Sequence, residues 1–395
     1  MPMALENVRV LDFSQMMMGP WGTQFLGDMG AEIIKIERPR LGEWERSLHA
    51  MGELMPNGES PYFVAMNRNK KSLTLNLKSP QAREIIYKLA GDSDLVVENF
   101  RPGVLDRLGI GYEDLRKINP SIVYVAGSGW GRDGPYVDRP GQDMLAQCMS
   151  GLAAYGGRAD DPPTPCGSSI VDAITAMHLA FCSMVGLYHK QRTGQGQRID
   201  VDLFSTIIAA QCQELSVFLN MDRKFERSKA GIGGAWLSAP FGIYQTADGH
   251  MAISMNPLPV LADLLNLPEL KQYDTERKAY DERDTIKPII EQVIRTKTTA
   301  HWLELFATRD LWCAKVQDFG DLERDPQVAH NNMIVEIEHP REGKIRLAGI
   351  PSRFSRTPGT VRLAPPTVGQ HNHEILSRLG YAREQIEQLE SEGVI

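Results

Sequence analysis

The chain has no Cys-x-x-Cys pair, and its five cysteines (Cys148, Cys166, Cys182, Cys212 and Cys313) are odd in number. This argues against a disulfide framework and for reduced thiols, mostly buried as small apolar residues. No apolar run approaches the roughly 18–20 residues that a membrane span needs. The first residues lack the charged and apolar regions of a signal peptide, so a cytoplasmic location is expected. Basic excess is also missing. The net charge of -7 argues against nucleic acid and membrane surfaces as partners. The nine histidines show no metal-ligand spacing. The nearest pair, His371 and His373, has no third ligand close in sequence, so no metal is expected. After the first predicted strand the loop runs Ser14, Gln15, Met16, Met17, Met18, Gly19, Pro20. It does not match the Gly-x-Gly-x-x-Gly dinucleotide fingerprint, so NAD is not expected either.

What is present is an ordinary enzyme composition, 42% hydrophobic and 24% charged over 395 residues, long enough for two domains. The first 130 residues alternate strand and helix. Strands are predicted at 8–13, 31–36, 94–98 and 122–126, with another ending near Lys78. Helices are predicted at 21–29, from Ser79-Pro80 onward, and over 103–108 and 112–118. This alternation implies an α/β fold, a doubly wound, Rossmann-like parallel sheet. A long, almost uncharged helix follows Asp172, and residues 198–203 alternate as a strand. Near residue 225 the chain turns charged and then glycine-rich. A hairpin with its turn at Asp248-Gly249 follows, then helices at about 257–271 and 283–308. These features place a smaller α+β domain at 225–325, between a large domain of 1–224 and its return at 326–395. A second hairpin over 333–350, turning at 340–343, and a helix over 373–391 close the chain.

Asp172 stands out, a carboxylate at the mouth of an apolar helix. Ser169 three residues earlier fits a capping box, in which the acid would return to the cap's amide. A helix N-terminus also favours an ionised carboxylate, as a nucleophile requires. Cations gather near predicted strand ends: Lys35, Arg38, the cluster Arg68, Lys70 and Lys71, then Arg101 and Arg107. Such positions suit phosphates, although each cation alone reads as solvated rim. His178, among Met177, Leu179 and Phe181, reads as a hydrogen-bonded core histidine. Cys166 has no base paired with it in sequence.

Taken together, these segments resemble the class III CoA-transferases, the family of formyl-CoA transferase and carnitine CoA-transferase, with alpha-methylacyl-CoA racemase as a relative. The shared motifs are Leu11-Asp12-Phe13, Gly19-Pro20, residues 26–37, Asn69-Lys70-Lys71-Ser72, residues 97–103, residues 193–197, residues 369–372 and Leu379-Gly380-Tyr381. The resemblance implies that Asp172 is a catalytic nucleophile. It implies that Arg38, Leu75, Lys78, Asn99, Phe100 and Arg107 hold coenzyme A, bound as an acyl-CoA substrate. Met16, Met17 and Met18 would lie against the thioester end, and Gly233 and Gly234 would belong to a glycine loop over the reacting Asp. The partners implied are an acyl-CoA and a small carboxylic acid, in an interlocked homodimer. Met17 stands where formyl-CoA transferase has Gln, which disfavours oxalate as acceptor. The methionines offer an adaptable apolar wall, and Arg46 or Arg132 could bind a second carboxylate. The racemases carry Gly-His-Asp where this chain reads Gly141-Gln142-Asp143. Gln142 cannot exchange a proton, which favours transfer over 2-methylacyl-CoA racemisation. Asp143 is expected to orient its loop, bind substrate or hydrogen-bond structurally.

Overall fold

The computed structural model describes residues 3–395 and divides into two compact units. The larger comprises 1–146, 169–207 and 326–395, and the smaller 147–168 and 208–325. The smaller unit thus starts before the charged break near residue 225. It also takes in 147–168, which no feature of the sequence had set apart.

In the larger unit, six parallel strands form one sheet: β1 (Arg9–Asp12), β2 (Glu32–Glu37), β3 (Lys70–Thr74), β4 (Leu95–Glu98), β5 (Val123–Ser128) and β6 (Arg198–Asp202). Their order is 3-2-1-4-5-6, the doubly wound arrangement in which ligands sit at the carboxyl ends of the strands, where the order reverses. The expected parallel α/β sheet is therefore present. Its core joins Leu11, Ile34, Leu73, Val96 and Tyr124 of the strands to Ile85, Ile86 and Leu89 of the helix Pro80–Gly91. That helix starts as its sequence indicates, with Ser79 accepting a hydrogen bond from the Gln81 amide and Pro80 in its first turn. The helix Pro61–Met66 has no counterpart in the sequence reading, being too short for a periodic signal.

The long apolar helix runs Ile170–Thr193, 24 residues. By length and composition it could cross a membrane, which corrects the expectation that no such run exists. Its inner side (Val171, Ala176, Leu179, Ala180) is buried, and it packs against β5, β6 and the helix Met18–Asp28. The chain then returns to β6 through a turn in which Gly196 presses on the end of β5. A Cβ there would lie 2.0 Å from the Ile122 carbonyl oxygen. Near the C-terminus, strands Ile334–His339 and Gly343–Ala348 pair as the expected hairpin. The last helical stretch is two helices, Asn372–Arg378 and Arg383–Ser391, separated at Gly380 with φ +87°.

The smaller unit has its own core, built on β7 (Gly242–Gln245) and β8 (His250–Ile253) as an antiparallel hairpin. A third strand, β9 (Cys313–Lys315), pairs with β8. Three residues carry too little pattern to be seen in sequence. The predicted helix over 283–308 is two, Arg283–Ile294 and Thr299–Ala307, because Thr298 caps the second.

The cysteine expectation needs correction. Cys148, Cys166 and Cys212 are exposed and Cys182 and Cys313 half-buried, all as free thiols.

Gly196→Ala should destabilise the larger unit by about 1–3 kcal/mol, because the new methyl meets backbone that cannot step aside. Equilibrium unfolding in urea checks this, with Gly194→Ala excluded as a control because Gly194 is a left-handed helix cap at φ +73°.

Candidate active site

The loop after β1 is held from three sides. Asp12, at the end of β1, is fully buried, and its Oδ2 receives Lys70 Nζ at 3.0 Å and Thr23 Oγ1 at 2.6 Å. Its Oδ1 takes the Ser14 amide at 2.9 Å and the Ser14 hydroxyl. Burial alone would raise the Asp12 pKa. Lys70, Lys35 and the two hydroxyls outweigh it and hold the carboxyl well below the usual range. Lys70 Nζ also donates to the Pro20 carbonyl at 2.8 Å, and Lys35 Nζ to the Ser14 carbonyl at 2.9 Å. Both ends of the segment 14–20 are thus pinned by lysines from β2 and β3. From β4 the Asn99 side chain accepts from the Gln15 amide and donates to the Gln15 carbonyl, each at 2.8 Å. Asn99 therefore ties the β4 loop to the β1 loop across the point where strand order reverses. Met16 follows at φ +63°. Met16 and Met17 are half-buried and Met18 is buried.

The other candidate coenzyme A residues line the same edge. Arg38 follows β2, Leu75 and Lys78 follow β3, Phe100 follows β4, and Arg107 ends the short helix Val104–Arg107. Arg38, Lys78 and Arg107 are exposed, as is Arg101. The Phe100 amide donates to Glu98 Oε2 at 2.8 Å. Leu75 is fully buried in the core, and its amide donates to the Glu37 carbonyl at 2.7 Å. Lys35 and Lys70 are spent inside the ion network, and Lys71 pairs with Glu32 and Glu374.

Asp172 lies in the first turn of the helix Ile170–Thr193. The capping box with Ser169 does not form, because the Ser169 side chain caps nothing. The cap comes instead from Asp143, which is buried. Its Oδ2 accepts the amides of Val171 at 2.8 Å and Asp172 at 3.0 Å. The loop that delivers Asp143 passes at Gly141 over Gly129, so closely that a Cβ at Gly141 would lie 2.4 Å from the Gly129 Cα. Asp143 is thus hydrogen-bonded to the helix start, and Gln142 beside it is exposed. With the amides satisfied by Asp143, the half-buried Asp172 carboxyl does not serve as a cap. Burial, then the like charge of Asp143, pushes its pKa up to about 7.

A group that the sequence reading missed is Glu45, in the 3-10 turn Trp44–Ser47. It is 2% exposed, and burial, then Glu43, push its pKa up to about 9, with Asp172 adding to the effect. The sequence offers three acids, Glu37, Glu43 and Glu45, and three arginines, Arg38, Arg40 and Arg46, within ten residues, which does not single Glu45 out. Arg46 itself is unavailable to a substrate carboxylate. It is buried, with Nε and Nη2 on Glu37 at 2.7 and 2.8 Å and its guanidinium 3.5 Å over the Phe63 ring. Arg132 is exposed, 3.9 Å from Asp200. His178 is exposed rather than core, with Nε2 3.7 Å from Cys182 Sγ.

Gly233 and Gly234 belong to the smaller unit. The Gly233 amide donates to the Phe241 carbonyl at 2.9 Å, and those of Gly231 and Ile232 to Ser228 Oγ. These three amides are committed within the turn, so they are not spare donors for an oxyanion. Cys166 lies in the same unit, its amide on Gln147 Oε1. Among the described residues no group of three or more His, Cys, Asp or Glu is arranged to hold a metal.

Comparison with known proteins defines the class. CoA-transferase family III matches residues 5–372, and the chain belongs to that family. It is 36% identical to succinyl-CoA:glutarate CoA-transferase of Mus musculus, over 99% of this chain and 90% of the relative. It is 32% identical to formyl-CoA:oxalate CoA-transferase of Rhodopseudomonas palustris (strain BisA53), over 100% and 98%. A crystal structure of a CaiB/BaiF family protein from Brucella suis superposes with a TM-score of 0.82 at 27% identity, covering 96% of this chain and 100% of that one. The protein is a class III CoA-transferase, an enzyme that uses acyl-CoA substrates.

The raised pKa of Asp172 has a thermodynamic sign. Its folded-state pKa of about 7 exceeds the ordinary 3.8, so between those values the folded chain holds the extra proton. Its contribution to stability therefore falls as pH rises through that window and stays low above it. Asp172→Asn should melt a few degrees higher than the parent at pH 8, and the gap should close towards pH 4. Calorimetry across that range checks this.

Proposed function

We infer that the enzyme moves coenzyme A from an acyl-CoA to a dicarboxylic acid through covalent intermediates on Asp172. The observation that carries this reading is the Asp143 cap, which leaves the Asp172 carboxyl at a helix N-terminus without a capping duty of its own. In the first step a carboxylate oxygen of Asp172 attacks the thioester carbonyl. The C–S bond breaks, a mixed anhydride forms, and CoA leaves as thiolate. The thiolate then attacks the Asp172 carbonyl and expels the donor acid, leaving an aspartyl-CoA thioester. The acceptor carboxylate attacks that thioester, giving a second anhydride and thiolate. Attack of the thiolate on the acceptor acyl carbon frees Asp172. Dividing the exchange into such steps lowers each barrier, and water must be kept from the anhydrides.

The coenzyme would lie along the strand ends, with its phosphates near Arg38, Lys78 and Arg107 and its thioester end near Met16, Met17 and Met18. Asn99 and Phe100 would shape the floor, Asn99 by holding the Gln15 backbone. The curated relatives are named for succinyl-CoA with glutarate and for formyl-CoA with oxalate, which supports a dicarboxylic acceptor. The methionine wall fits an acid longer and less polar than oxalate. Racemisation would need a base on each face of the α-carbon. Gln142 does not ionise and Asp143 is occupied by two amides, which favours transfer. Along the helix Ile170–Thr193, Met177, Phe181 and Tyr188 are 53%, 63% and 59% exposed. Such an apolar stripe supports the interlocked homodimer that the family resemblance implies, and light scattering should give twice the chain mass of 44.1 kDa.

Asp172→Ala should lose at least about a thousandfold in turnover while still binding coenzyme A. Unchanged turnover would overturn the mechanism. Because only ionised Asp172 attacks, the first acyl transfer should rise with pH through about 7 and then level. Asp143→Asn removes the like charge, so that inflection should move to lower pH in single-turnover measurements.

A further inference from the structure

Glu43 and Glu45 are buried acids of the larger unit that the chemistry above does not use. Their backbone is fixed on both sides. The Glu43 amide donates to Glu37 Oε2 at 2.9 Å, and the Leu48 amide donates to the Glu45 carbonyl at 3.0 Å. Gly42, at φ +69°, lies so near Arg46 that a Cβ there would meet Arg46 Cδ at 2.4 Å. Glu43 Oε1 takes Lys35 Nζ at 3.2 Å, the same lysine that holds the Ser14 carbonyl. The turn Trp44–Ser47 is thus tied to the methionine loop. The second oxygens differ. Glu43 Oε2 and Glu45 Oε2 are both shielded from solvent and meet no hydrogen-bond partner among the described residues. Arg46, the adjacent cation, is committed to Glu37 and Glu59.

A buried carboxyl without a cation of its own costs least as the neutral acid. Burial, then the like charge of Glu43, keep the proton on Glu45, and Asp172 adds to the effect while Lys35 and Lys70 oppose it. The helix Pro61–Met66, which packs on the turn, brings no carboxylate or cation. The influence of Asp172 puts the two carboxyls in one electrostatic neighbourhood of the larger unit. Glu45 stays an acid while Asp172 ionises near pH 7, so it adds no like charge to the nucleophile. A carboxyl that stays neutral in such a place is an O–H donor. The transfer needs a donor, because each attack on an acyl carbon makes an oxyanion. The amides of Gly231, Ile232 and Gly233 are committed within their own turn.

We propose that Glu45 is a further catalytic residue, whose carboxylic acid O–H donates a hydrogen bond to the acyl oxygen as Asp172 attacks the thioester carbon. The proton stays on Glu45 throughout. Negative charge grows on the acyl oxygen and leaves it when the C–S bond breaks. The proposal rests on the reading of Asp172 as nucleophile. Single-turnover mass spectrometry on the full chain tests it, following the coenzyme A adduct on the Asp172 peptide against pH with the acyl-CoA that labels the parent. A parent that no acyl-CoA labels would sink the Asp172 reading, a result separate from any difference between variants. Glu45→Leu should slow adduct formation about a hundredfold and leave coenzyme A affinity unchanged. It should melt no lower than the parent, because it removes a buried oxygen without a partner. Glu45→Gln keeps a neutral donor and should keep most of the rate. In the parent, the level reached above pH 7 should end in a fall near pH 9, as Glu45 loses its proton. In Glu45→Gln that fall should be absent. Adduct formation at the parent rate in Glu45→Leu would overturn the proposal. So would a Gln variant as slow as the Leu variant, or one that keeps the fall near pH 9.

Discussion

One carboxylate oxygen, Asp143 Oδ2, accepts the second and third amides of the helix Ile170–Thr193. A helix start needs its amides answered, and by its position three residues after Ser169 Asp172 could have answered one. Because a residue from another loop does so, the Asp172 carboxyl is left without a capping duty. The same arrangement puts two carboxylates near each other in a poorly hydrated place. Burial and that like charge raise the Asp172 pKa to about 7, a stability cost of the kind that accompanies reactive groups. The approach of Gly141 to Gly129 is the backbone condition for this cap.

The strand-end edge depends on a second buried construction. Asp12, Lys35 and Lys70 come from β1, β2 and β3, and all three are fully buried. Their charges satisfy one another and two loop carbonyls, which fixes the segment 14–20. An ion network of this sort contributes little net stability, but removing one member leaves an unpaired buried charge. It specifies where the methionines stand, and Asn99 links that loop to β4. Positioning residues and the proposed coenzyme contacts are thus adjacent along one sheet edge.

The fold was legible where pattern was long or punctuated. The strands of the parallel sheet, the Ser79-Pro80 helix start and the Asp248-Gly249 hairpin all announce themselves through apolar runs or turn chemistry. Short elements did not, namely the helix Pro61–Met66 and the strand Cys313–Lys315. Cations were the least legible feature. Arg38, Lys78 and Arg107 stay exposed, whereas Lys35, Lys70 and Arg46 are buried in ion networks, and nothing local in sequence separates the two groups. What separates them is the carboxylates brought in by folding, Asp12, Glu37 and Glu43, from neighbouring strands and turns. Asp172 was legible by its setting, but its cap was not. Ser169 is local and Asp143 is 29 residues away, and local patterns cannot show which of two caps wins.

The most direct test of Asp172 as nucleophile is peptide mass spectrometry after brief incubation with acyl-CoA donors in the absence of acceptor. The peptide containing Asp172 should gain the mass of coenzyme A less water. A coenzyme A adduct on another peptide, or transfer proceeding in the Asp172→Ala variant, would contradict the aspartyl mechanism.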